Sequence, residues 1–265
     1  IGSDPRAVIE ARGPNIKISK GNKVDEFQSE CGDSLKELEV FMSSYLPVSV
    51  SGLPVFYGGA VGYLSYDAVR YFEPTINEPV NDDLGLPDMV FMITQNVVIF
   101  DHRLRKLLIV SNVFTEEGEE LQTLYDNASK EIGKIIQKLD RSLDFRPLIK
   151  GVKTDNVKYK SNTSKDEYYD MVKKAKEFIH SGDAFQIVLS QRFEVDFPGT
   201  SIDLYRALRS VNPSPYMFCL KLGGDFSLVG CSPEVHVRAI DSKIEIRPIA
   251  GTRWRGGTVA EDNAL

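Results

Sequence analysis

Apolar residues recur every three to four positions in several stretches, and each such stretch predicts an amphipathic helix with one face on a core. From Ser34 to Leu46 the spacing lines up Leu35, Leu38, Phe41, Met42 and Tyr45. From Glu117 to Leu139 it lines up Leu121, Leu124, Tyr125, Ala128, Ile132, Ile135, Ile136 and Leu139, a long face able to cover a neighbouring sheet. A third helix follows Ser164 and Glu167, which stand at capping-box spacing, and runs through Tyr168, Met171, Val172, Ala175, Phe178 and Ile179. Gly182 stops it. A short fourth helix is predicted from Leu204 to Ser210.

Continuous apolar runs predict buried strands at Met89–Phe100 and Leu107–Val113, joined by a hairpin through Asp101-His102-Arg103. Further strands are predicted at Phe185–Val195, Met217–Leu222, Ser227–Val229, Val235–Ile240 and Lys243–Ile249. The pairs Gly58-Gly59 and Gly223-Gly224 match no phosphate-cradling pattern and are expected to be turns. Strands and helices mix without regular alternation, so the fold class is α+β. The polar stretch Asp140–Thr163 is the best linker, separating a region of residues 1–150 from one of residues 151–265.

Composition narrows the function classes. With 42% hydrophobic and 26% charged residues, the 265-residue chain can bury one large core or two modest ones. A net charge of -6 and the absence of a long basic run argue against nonspecific nucleic-acid binding, leaving a small-molecule ligand as the expectation. Cys31, Cys219 and Cys231 are odd in number, and His102, His180 and His236 lie far apart, so a reduced compartment and no protein-built zinc site are expected. No apolar run approaches the roughly 20 residues that span a bilayer, and no membrane association is expected. The chain begins without methionine and stops at Asp262-Asn263-Ala264-Leu265, where a helix is starting. Both ends look cut, which makes a fragment the expectation.

Four segments offer chemistry. In Arg247-Pro248-Ile249-Ala250-Gly251-Thr252-Arg253, a glycine lets the backbone approach a ligand while its amide and the Thr252 hydroxyl donate to a carboxylate. A plain hairpin turn with solvated arginines explains the same residues equally well. In Asn212-Pro213-Ser214-Pro215-Tyr216-Met217-Phe218 the prolines fix a backbone that presents an amide, a hydroxyl and a ring. Turn chemistry alone accounts for the prolines, and composition favours that reading. Glu234, in Ser232-Pro233-Glu234, begins a strand at a sheet edge, where partial burial would let it donate a proton. An exposed strand-end glutamate is the commoner case. The fourth segment, Gly182 to Ser190, contains Gln186.

Taken together, these segments resemble the large (component I) subunits of anthranilate synthase, among the chorismate-utilising enzymes. The resemblance runs in order through Pro54–Tyr63, Ser181–Phe193, Asn212–Phe218, Ser232–Glu234 and Arg247–Gly256, and covers essentially the whole chain. It implies a β-sandwich-like core of mixed or antiparallel sheets with helices packed outside, incomplete on the C-terminal side. It implies a lyase reaction of tryptophan biosynthesis, in which chorismate is aminated by ammonia and loses pyruvate to give anthranilate. Glu234 matches the general acid for the leaving hydroxyl, and Gly251 with Thr252 match the substrate loop.

Related enzymes that add water carry lysine at the position of Gln186, because water must lose a proton to attack. The aminodeoxychorismate branch carries lysine at Ala250, where an amine attacks the ring covalently. Ammonia needs neither, so Gln186 and Ala250 favour anthranilate formation. Asn212, Pro215, Tyr216 and Met217 match the part of the family that binds tryptophan as feedback inhibitor, which displaces the turn-only reading. The resemblance further implies a magnesium ion, with ligands expected beyond residue 265, and a glutamine amidotransferase partner that delivers ammonia. The expected location is the cytoplasm, or the plastid in a plant. The remaining alternatives are an aminodeoxychorismate synthase-like enzyme and a noncatalytic tryptophan-sensing or docking fragment, and the isolated fragment is expected to be inactive.

Overall fold

The apolar run beginning at Met89 bends at Gln95 and feeds two different sheets. The computed structural model describes every residue except Ser49, Pro74, 77–81, Glu117, 143–156, Ala250 and Thr252. It divides into two compact units, Ile1–Asp144 with Leu222–Phe226, and Phe145–Lys221 with Ser227–Leu265. Among the described residues β-strand pairing is antiparallel in eight ladders. Most of the linker expected at Asp140–Thr163 lies outside the described residues, and its last part, Tyr159–Ser161, is a strand.

In the first unit the strands are β1 (Gly2–Ser3), β2 (Ala7–Arg12), β3 (Asn15–Lys20), β4 (Lys23–Gln28), β5 (Gly59–Leu64), β6 (Met89–Thr94), β7 (Asn96–Asp101) and β8 (Lys106–Ser111). They form a five-stranded sheet, β4-β3-β2-β6-β5, and a three-stranded sheet, β1-β7-β8. The predicted single strand over Met89–Phe100 is therefore β6 and β7, and the Gln95 carbonyl at the break accepts the Asn112 amide at 2.8 Å. The hairpin expected at Asp101-His102-Arg103 joins β7 to β8.

Helix α1 (Ser34–Ser43) is capped by Asp33, whose carboxylate accepts from the Leu35 amide. It ends three residues before the predicted Leu46, because Leu46 precedes Pro47 and such a residue disfavours helical backbone. Leu35, Leu38 and Phe41 pack on Ile9, Ala11, Ile16 and Met89 of the five-stranded sheet. Each of the larger of these buried side chains contributes about 1.5–3 kcal/mol relative to exposure. Helix α2 (Leu121–Leu139) packs on β8, the covering role its pattern predicts, and begins after Gly118, whose φ of 87° is incompatible with helix. Tyr71 donates to the Asp88 carboxylate at 2.8 Å, and that carboxylate also accepts the Gly13 amide at 2.7 Å. Burial, aided by Asp88, pushes the Tyr71 hydroxyl pKa up to about 12.

In the second unit, β9 (Tyr159–Ser161) pairs with β10 (Phe193–Val195). Helix α3 (Lys165–Ser181) has the predicted Ser164–Glu167 capping box and ends at Gly182 with φ 88°. Helix α4 (Ser201–Val211) is longer than predicted, because Thr200 and Asp203 make a second capping box upstream. Strands β11 (Tyr216–Gly223) and β12 (Phe226–Ser232) form a hairpin whose tip, Leu222–Phe226, is counted with the first unit and holds Gly223 and Gly224 at positive φ, the role expected of that pair. Strands β13 (Arg238–Ile240) and β14 (Lys243–Glu245) flank Asp241 and Ser242, both at positive φ as a tight I′-type hairpin turn requires. Helix α5 (Val259–Ala264) closes the chain.

Three predicted strands are shorter than their apolar runs. Only Phe193–Val195 of the run from Phe185 forms a ladder, and the segment before it has no regular secondary structure. Val235–Ile240 and Lys243–Ile249 reduce to three residues each. A strand exists by virtue of its neighbour, and an apolar pattern alone does not supply one.

Candidate active site

Strand β12 ends at Ser232, and Pro233 then turns the chain so that Glu234 stands just past the hairpin, half-buried. The Ser232 hydroxyl donates to the Glu234 carbonyl at 2.8 Å and accepts the Glu234 amide at 3.4 Å. This local turn, together with the fixed φ of proline, sets the direction of the Glu234 side chain. Its carboxylate oxygen Oε1 accepts the backbone N–H of Ile249 at 2.9 Å. Ile249 is the residue before Ala250, so the glutamate is bonded to the entry of the Ala250-Gly251-Thr252 loop. Among the described residues Oε2 carries no hydrogen bond.

The Asn212–Tyr216 turn meets the same place. Asn212 ends α4, and its side-chain amide donates to the Cys231 sulfur at 3.3 Å. The Ser214 hydroxyl donates to the Ser232 carbonyl and accepts the Tyr216 amide, the latter at 3.3 Å. Pro215 is exposed, whereas Tyr216 and Met217 are half-buried at the start of β11. Three segments distant in sequence thus converge: the end of α4 with its proline turn, the end of β12, and residue 249.

Other expected site residues stand differently. Gln186 is exposed in a segment without regular secondary structure, beside a fully exposed Phe185, and no hydrogen bond joins it to the Glu234 cluster among the described residues. Ala250 and Thr252 lie outside the described residues, and Gly251 is exposed with open space around its Cα. Arg247, one of the two arginines bracketing the loop, bonds to Glu245 through Nε at 2.6 Å. That pair is solvent-exposed and contributes about 0–1 kcal/mol.

Ser214 is marked by the sequence as the hydroxyl of its proline turn, whereas Ser232, a hydroxyl next to a proline in a motif marked for Glu234, is not singled out. A magnesium ion prefers six hard oxygen ligands and near-octahedral geometry. The described cluster offers one carboxylate, one of whose oxygens is engaged, with two hydroxyls and a thiol. These residues do not fit that ion, and among the described residues no three His, Cys, Asp or Glu side chains stand together as a metal site. Among the described residues no helix is long and apolar enough to cross a membrane.

Mixed helices and antiparallel sheets, with no closed barrel among the described residues, define the general class. The model for chorismate binding enzymes matches residues 3–265, and the chain belongs to that family. It is 37% identical over 269 residues to anthranilate synthase component 1 of Pseudomonas putida, covering 100% of this chain and 53% of that protein. It is 41% identical over 232 residues to the probable anthranilate synthase component 1 of Schizosaccharomyces pombe, covering 88% of this chain and 47% of that one. The crystal structure of anthranilate synthase component I from Streptococcus pneumoniae TIGR4 is similar with a TM-score of 0.73 at 27% identity, over 92% of this chain and 52% of that structure. The chain spans about half the length of the curated relatives it matches.

Proposed function

We propose that the chain carries part of the site that converts chorismate and ammonia to anthranilate, pyruvate and water. The observation that supports this most is the bond from the Ile249 amide to Glu234, which joins a carboxyl group to the loop that resembles the family's substrate loop. Ammonia forms the new C–N bond ortho to the ring carboxylate, and the ring hydroxyl departs. Hydroxide is a poor leaving group, so Glu234 donates a proton to it through the oxygen not held by Ile249. Pyruvate is eliminated as the ring becomes aromatic. Gly251 and Thr252 position the ring, and Gln186 and Ala250 present neutral side chains to an attacker that is already nucleophilic.

In this reading Asn212, Pro215, Tyr216 and Met217 hold tryptophan as a feedback inhibitor, and a glutamine amidotransferase subunit supplies ammonia. Magnesium takes part in the reaction, and its site is not assembled by the described residues.

The test uses a polypeptide of the relatives' length that contains this chain, supplied with chorismate, ammonium and magnesium. Anthranilate is expected as the product, distinguished chromatographically from para-aminobenzoate precursors. Glu234→Gln should reduce turnover by about 10²–10⁴-fold, the range for removing a general acid. Ala250→Lys should suppress anthranilate formation. Formation of a 4-amino product by the unmodified polypeptide, or full activity of Glu234→Gln, would overturn the assignment.

A further inference from the structure

The proline turn and the glutamate are joined by a continuous set of hydrogen bonds. The Tyr216 amide donates to the Ser214 hydroxyl, which donates to the Ser232 carbonyl. Ser232 closes its own turn onto both backbone groups of Glu234, with Pro233 stiffening the tripeptide between them. The Glu234 carboxylate then accepts the Ile249 amide. Ser214, Ser232 and Glu234 are all half-buried, so water competes only partly for these bonds. A displacement of the turn therefore moves the Ser232 carbonyl, and with it the tripeptide that aims Glu234. The side-chain bond from Asn212 to Cys231 ties the same two elements two residues before Ser214 and one before Ser232, so they shift as one piece.

We propose that Ser214 and Ser232 are positioning residues that couple the Asn212–Tyr216 turn to the Glu234–Ile249 bond, so that a ligand seated on the turn is felt at the loop after Ile249. The identity of that ligand rests on the function proposed above; the coupling itself rests on the hydrogen bonds alone. Two sites that communicate through one rigid element influence each other reciprocally. The two serines are that element's connection, and neither needs to touch ligand or substrate.

The experiment is performed on the isotopically labelled chain by nuclear magnetic resonance. Ser214→Ala and Ser232→Ala should each shift the Ile249 amide resonance and speed its hydrogen exchange by about fivefold, the factor expected for weakening one hydrogen bond. Ser214→Thr, which keeps the hydroxyl, should restore both signals. Ser214→Cys keeps the size with a weaker donor and serves if alanine unfolds the hairpin. Amides of β2 in the first unit should stay unchanged. Ile249 exchange within twofold of the unmodified chain in both alanine variants would refute the coupling.

Titration with L-tryptophan separates the two readings. Shifts at Tyr216 and Ile249 together support the coupling, and shifts confined to Tyr216 overturn it. If tryptophan moves no resonance, the ligand assignment fails, while the serine variants still decide the coupling.

Discussion

Adding one methyl group at Gly62 should unfasten the edge of the five-stranded sheet. Gly62 sits in β5 opposite Phe91 of β6, in a ladder that runs from Gly59 and Thr94 to Leu64 and Met89. A Cβ at Gly62 would lie 1.8 Å from the Val90 carbonyl oxygen and 2.7 Å from the Phe91 Cα. Close C···O contacts in sheets are about 3.3–3.6 Å, so the strands would have to separate by roughly 1.5 Å. That is about a third of the normal spacing between strands, enough to break the ladder bonds around the position. Because the obstructing atoms are backbone, no side-chain rotation relieves the clash. Overpacking typically costs about 1–3 kcal/mol, and Gly62→Ala should reach the upper end of that range.

The two units need not unfold together, so a single global transition is not a safe readout. The only tryptophan, Trp254, belongs to the second unit. The measurement is therefore amide exchange at the buried Ile9, Met89 and Ile93, which should quicken by about two orders of magnitude for a 3 kcal/mol loss. Gly133→Ala is the counterpart: Gly133 lies inside α2 with open space where the Cβ would stand, and the change should stabilise by about 0.5–1 kcal/mol. Gly62→Ala within 0.5 kcal/mol of the unmodified chain would refute the packing argument.

The remaining predictions concern charge, capping and thiol chemistry. The folded-state pKa of Tyr71 is raised to about 12 from an ordinary 10, so the folded state binds this proton more tightly than the unfolded chain. Its stabilising effect is complete below pH 10 and is lost as pH rises from about 10 to 12; Tyr71→Phe should remove that part of the alkaline loss in a pH series of denaturation curves. Ser164→Ala removes one half of the α3 capping box and should cost about 1 kcal/mol, read as faster exchange along that helix but not α4. Cys31 is exposed, and the Ser29 hydroxyl 3.3 Å from its sulfur holds its pKa below the ordinary thiol value. It should be alkylated before Cys219 and Cys231, both half-buried, and Ser29→Ala should slow that reaction as followed by peptide mass spectrometry.

Helices were the most legible elements because their signals are local. The Ser164–Glu167 box, the stop at Gly182 and the apolar face of α2 can all be inspected within one segment. Strands depend on partners, and there the pattern misled in both directions. The run from Phe185 looked like a strand but finds a partner only for Phe193–Val195 among the described residues. The Ala7–Gln28 meander is not predicted, although Gly13 and Gly21 mark its turns and β2 alternates buried and half-buried positions. The division of one apolar run at Gln95 between two sheets is a property of packing, and no local feature marks it. At the candidate site, Glu234 and Asn212 were visible as residue types, but the serines connecting them acquire a role only when β12 brings Ser232 beside the proline turn.

The segments that carry the family resemblance are of two physical kinds. In Pro54–Tyr63, Gly59 adopts a φ of 135° and Gly62 faces backbone that excludes a side chain, so sheet geometry alone requires both. Gly230 is similar: a Cβ there would stand 2.3 Å from the Phe218 ring, and glycine is what lets that ring lie across β12. Substitutions at these positions should damage folding before they say anything about chemistry. Glu234 belongs to the other kind. No packing requirement calls for a half-buried carboxylate after Pro233, since a neutral side chain could fill the same volume. Among the described residues its side chain bonds to the Ile249 amide. A carboxylate held after Pro233 and bonded to the residue before the loop proposed above to position substrate is where a functional test discriminates best. Loss of turnover in Glu234→Gln with an undisturbed fold would separate chemistry from architecture, which the glycine variants cannot do.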